Sequence, residues 1–180
     1  MLHFSKITAK SKDFHLIASG ALAFKIHNKI LKDEDFMKGA KVSRNLLQSN
    51  AVIKSDKSEA KVFFVIISDL DKMNASNLCS MIAKERAKGS YAVCQVIPMY
   101  YNEPSFKALK MLRQNFDEVI ELNKLTLGGG KALMSTEQQH CIITDYSISM
   151  ARIMRNVCVG VHAPAPAKEK EEKKGQVVYA

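Results

Sequence analysis

Lys61-Val-Phe-Phe-Val-Ile-Ile-Ser68, Tyr91-Ala-Val-Cys-Gln-Val-Ile97 and Asp117-Glu-Val-Ile-Glu-Leu122 decide the fold of this chain. The first two are too continuously apolar for strands with one wet face and read as strands buried on both sides, while the third is shorter and weaker in pattern. Two amphipathic segments separate them. The first runs to about Lys88, with Leu78, Met81 and Ile82 on one stripe, Lys84, Glu85 and Arg86 toward water, and Lys88-Gly89 as its stop signal. The second opens at Asn102-Glu-Pro104, where proline is tolerated in the first helical turn, and Phe106, Leu109, Leu112 and Phe116 form its predicted buried stripe. Strand, helix, strand, helix, strand with connections of this length predicts parallel pairing through right-handed crossovers.

Upstream, residues 13–19 predict a first strand, Gly20 a turn, and residues 21–31 a helix with Leu22, Ile26 and Ile30 on one face. Asp33-Glu-Asp35 supplies acidic residues before a second predicted helix over residues 36–48, with Ala40, Leu46 and Leu47 inward, followed by a polar loop over residues 49–60. Downstream, Gly128-Gly129-Gly130 marks a connector, and residues 136–158 are long enough for one substantial helix. The fold class is therefore α/β: a three-layer Rossmann-like sandwich with a mostly parallel sheet of about four strands and helices on both faces. The chain divides into a single domain over residues 1–162 and a tail over 163–180. In that tail Pro164, Pro166 and Lys168-Glu-Lys-Glu-Glu-Lys-Lys174 hold too little apolar surface to offset ordering entropy, which predicts disorder.

At 180 residues with 47% hydrophobic content, the chain can bury a core, and no stretch is long and apolar enough for a membrane span. Met1-Leu-His-Phe-Ser-Lys lacks a secretory pattern, so a cytoplasmic location is expected. Cys79, Cys94, Cys141 and Cys158 are widely spaced, with no C-x-x-C pair or histidine at metal-ligand spacing, and read as buried thiols, so neither a disulfide nor a metal site is expected. The formal charge is +9, of which the tail contributes +1. The lysines are spread over nearly every polar face, so a solvated basic surface is favoured over a nucleic-acid footprint.

In an open parallel sheet, ligands bind beyond the carboxyl ends of the strands. That position nominates Ser19 and Gly20; Asp69, Asp71, Lys72, Asn74 and Ser76; Tyr100, Tyr101 and Asn102; and Asn123. Asp69 and Asp71 could share a magnesium ion with substrate phosphates, but an Asp-rich turn before a helix is also ordinary capping chemistry, and the capping reading is preferred. Gly130-Lys131 resembles the end of a Walker loop, yet Leu125 stands where its first glycine belongs and Ala132 replaces the metal-binding hydroxyl. No G-x-G-x-x-G follows a strand, and no H-E-x-x-H or G-x-S-x-G occurs. His3, His15, His27, His140 and His162 are scattered, each better read as a surface or core residue than a catalyst.

Val62-Phe-Phe-Val-Ile-Ile67, Met81-Ile-Ala-Lys-Glu85 and Ala92-Val-Cys-Gln-Val-Ile-Pro98 resemble the strand, helix and strand around the glycine-rich signature of the tubulin-like GTPase FtsZ. Ser105-Phe-Lys-Ala-Leu-Lys-Met-Leu-Arg-Gln-Asn-Phe-Asp-Glu-Val-Ile-Glu-Leu-Asn123 is similar to the helix and strand leading to that family's Asn-Asp nucleotide contact, and Phe14-His-Leu-Ile-Ala-Ser-Gly20 to its first strand and loop. The resemblance covers roughly residues 13–123, where Asn123 matches cleanly; beyond it, Asp145 aligns only loosely with a base-reading aspartate. The departures concern phosphate chemistry. The glycine-rich turn is replaced by Asp69-Leu-Asp-Lys-Met-Asn-Ala-Ser76, the first glycine loop is reduced to Gly20, and Lys124 takes the place of the Asp that follows the family's Asn. The resemblance implies a degenerate member that kept the scaffold and lost turnover.

The expectation is a non-catalytic Rossmann-like protein that acts through protein–protein interaction, including self-association, in cell division or cytoskeletal organisation. GTP or another nucleotide has no phosphate loop to hold it, so no cofactor is assigned and the reading leans against an enzyme. One alternative is a small-molecule or nucleotide-binding enzyme or sensor using the strand-end residues. A second is a basic nucleic-acid-associated protein.

Overall fold

The computed structural model describes residues 12–40, 51–53, 60–97, 103–122 and 135–159. At its centre lies β3 (Ala60–Ile67). Alternate side chains of this strand serve two different cores, which is why its sequence has no polar face. Val62, Phe64 and Ile66 point into a core with Phe14, Leu16, Ala23, Ile26, Met154 and Cys158, whereas Phe63, Val65 and Ile67 point into another with Cys79, Ile82, Ala108, Leu109 and Leu112. The remaining strands are β1 (Lys12–Ser19), β2 (Ala51–Ile53), β4 (Tyr91–Val96) and β5 (Glu118–Glu121), arranged β2-β1-β3-β4-β5. β1, β3, β4 and β5 are parallel, with Ser19 beside Ile67 and Ile67 beside Val96.

Helices α1 (Ala21–Ile30), α2 (Glu34–Met37) and α5 (Thr136–Val159) cover one face, and α3 (Lys72–Arg86) and α4 (Glu103–Asn115) the other. The three-layer, mostly parallel α/β architecture is thus as the sequence predicts. The sheet has five strands rather than about four. Ala51-Val-Ile53, read from sequence as part of a polar loop, pairs antiparallel with β1, Phe14 beside Ile53 and Leu16 beside Ala51. A triplet carries no readable period, and its pairing with a buried strand decides its conformation. An antiparallel edge strand on an otherwise parallel sheet is a common arrangement.

The predicted helix over 36–48 also needs correction. It starts at Glu34, two residues before Phe36, because the Asp33 carboxylate accepts the Phe36 N–H at 2.8 Å as an N-cap. It stops at Met37, because Lys38 leaves helical angles and Gly39 takes φ +78°. Ala40 packs partly buried against the core; Leu46 and Leu47 lie outside the described residues, as does the tail beyond residue 162.

Arginines of α5 fix this turn. The Arg152 guanidinium forks onto both Asp33 carboxylate oxygens, and the buried Arg155 donates to the carbonyls of Asp35 (3.1 Å) and Lys38. Arg152 is the main reason the Asp33 carboxyl is held below its ordinary value, although burial opposes the shift.

Phe106, expected in the buried stripe of α4, is 58% exposed. The buried residues are Ser105, Ala108, Leu109 and Leu112, and Phe106 sits about a third of a turn from the centre of that stripe. α5 begins with a reciprocal cap: Gln138 N–H donates to Ser135 Oγ at 3.2 Å, and Ser135 N–H to Gln138 Oε1 at 3.0 Å.

One polar pair is sealed between sheet and helix. Gln95 on β4 donates through Nε2 to Ser147 Oγ on α5 at 2.5 Å, and the serine donates on to the Ile143 carbonyl at 2.7 Å. Both side chains are fully buried. Ser147→Ala should lower stability by about 1–3 kcal/mol because it strands the Gln95 amide, whereas adding Gln95→Leu should recover most of the loss. Urea melts of the single and double variants check this, and a double variant no better than Ser147→Ala contradicts it.

Candidate functional site at the carboxyl edge of the sheet

Leaving β1 the chain enters α1 on one face, and leaving β3 it enters α3 on the opposite face, so the connections diverge between these neighbouring strands. This is the position where open α/β sheets form their ligand crevice. Here the two strand ends are locked together. Ser68 N–H donates to the Ser19 carbonyl at 2.9 Å, and Ser68 Oγ accepts the Ala23 N–H at 3.1 Å. Gly20 opens α1 with no side chain of its own, so a serine from another strand caps the helix in its place.

Gly20 adopts φ 101° and ψ 159°, a conformation essentially confined to glycine. A Cβ added there would stand 2.3 Å from Ser68 Oγ, 2.8 Å from the Asp69 nitrogen and 3.0 Å from Asp69 Cγ. The Asp69 carboxyl group therefore lies against the backbone that opens α1. In nucleotide-binding α/β proteins that place, at the positive end of the first helix, receives phosphate. A carboxylate there gains from the helix dipole and would repel an incoming phosphate.

The second aspartate is occupied differently. Asp71 Oδ1 accepts the Asn74 N–H at 2.7 Å and Oδ2 accepts Asn74 Nδ2 at 2.5 Å, making Asp71 the N-cap of α3 and Asn74 its partner. The capping reading preferred from the sequence matches this geometry. Lys72 is exposed in the first turn, and Ser76 is half-buried farther along α3. The structure thus gathers Ser19, Gly20, Ser68 and Asp69 into one contact, and ties Asp71 to Asn74 in another. Tyr100, Tyr101, Asn102 and Asn123 lie outside the described residues. Asp145 is exposed on α5.

Among the described residues, no group of three or more His, Cys, Asp or Glu side chains is arranged to hold a metal ion. No disulfide joins the four cysteines; Cys79, Cys94 and Cys158 are buried, whereas Cys141, read as buried, is exposed on α5. Burial pushes the thiols of Cys79 and Cys94 up, which keeps them protonated and poorly nucleophilic. No helix among the described residues is long and apolar enough to cross a membrane.

His27 is buried on the inner side of α1, and burial lowers its pKa against a smaller opposing contribution from Asn28. The folded state keeps the imidazole neutral while the unfolded chain takes up a proton near pH 6.5, so the unfolded state binds more protons below that value. Stability should fall as pH drops through 6.5 toward the lower folded pKa, and His27→Gln should flatten that part of the profile. Thermal melts at pH 7.5 and 5.5 check this; equal slopes for both proteins would exclude His27 as the source.

Ser68 is the site residue that sequence reasoning missed. Its role depends on a contact 45 positions away, and nothing local to the end of β3 announces it. Compared with family models, with curated proteins and with solved structures, the chain matches none.

Proposed function

We propose that this chain is a non-catalytic Rossmann-like protein that acts by binding protein partners. The observation that carries the reading is the Asp69 carboxyl group lying against Gly20 where phosphate would have to approach. The partner-binding half is supported by the rim around it. Phe24, Met73 and Phe106, which are 47%, 70% and 58% exposed, all project from the first turns of the helices that follow β1, β3 and β4. Contiguous exposed apolar patches mark contact surfaces, and these three side chains are the ones at this edge that would contribute to one. A role in cell division or cytoskeletal organisation rests on the resemblance to the tubulin-like GTPases alone.

The test is a thermal-shift and hydrolysis panel of GTP, GDP and ATP with and without magnesium. No shift and no phosphate release are expected, since a ligand that binds only the folded state would raise the melting temperature. Robust hydrolysis that disappears in Asp71→Ala would overturn the reading.

A further inference from the structure

We draw no further inference here: the strongest candidate, the rim of exposed apolar side chains Phe24, Met73 and Phe106 at the carboxyl edge of the sheet, belongs to the site already described, and nothing in the structure shows what covers it.

Discussion

Gly20→Ala is expected to destabilise the protein by about 3–5 kcal/mol, combining backbone strain of about 1–3 kcal/mol with overpacking of similar size. The strain arises because φ 101° with ψ 159° is closed to residues with a side chain; the overpacking arises because the new methyl would meet Ser68 Oγ at 2.3 Å and the Asp69 nitrogen at 2.8 Å. Ser68 cannot yield freely, since its hydroxyl caps α1 at Ala23 and its N–H holds the Ser19 carbonyl. At roughly 2–4 °C per kcal/mol for a chain of this size, the melting temperature should fall by about 10 °C. Gly89→Ala is the matched control. Gly89 also has positive φ, at +86°, but nothing lies within 4 Å of an added Cβ, so only the strain, about 1 kcal/mol, should appear. Equal losses for the two variants would mean that the close approach of β1 and β3 contributes nothing.

Phe36→Ala should cost about 3–5 kcal/mol, the usual range for emptying a fully buried aromatic site. Phe36 is fully buried and meets Phe14 of β1 edge-on, with ring centroids 5.9 Å apart at 72°. The site is poorly able to collapse, because the α2 turn that carries Phe36 is pinned to α5 by Arg152 on Asp33 and by Arg155 on the carbonyls of Asp35 and Lys38. Phe36→Leu should recover more than half of the loss. Chemical denaturation of both variants checks this, and a cost below 1 kcal/mol for the alanine would show that the turn relaxes into the space.

Both substitutions act at joints between distant parts of the chain, where sequence reading was weakest. The elements themselves were legible: β1, α1, β3, α3, β4, α4, β5 and α5 all lie within a few residues of their predicted places, because each carries a continuous or periodic apolar pattern. The α2 boundary is legible too, since Lys38-Gly39 is the same stop signal that follows α3 at Lys88-Gly89. Phe106 is similar: it lies about a third of a turn from the centre of the stripe formed by Ser105, Ala108, Leu109 and Leu112, so the helical period itself turns it outward.

At the carboxyl edge, position alone drew Gly20, Asp69 and Asp71 to attention, and the absence of a phosphate loop was plain from the residues. Their roles were not. Asp69 and Asp71 are separated by a single residue, yet one rests on the start of α1 and the other caps α3. What the sequence determined by itself was the alternation of strands and helices, because periodic burial is a local property of the chain. Only the tertiary structure decided that Ser68 caps a helix begun 47 residues earlier, that Ala51-Val-Ile53 completes the sheet, and that the Asp69 carboxyl group lies against the start of α1. Those outcomes depend on which strand lies beside which, and pairing between distant segments is set by the packing of the whole core.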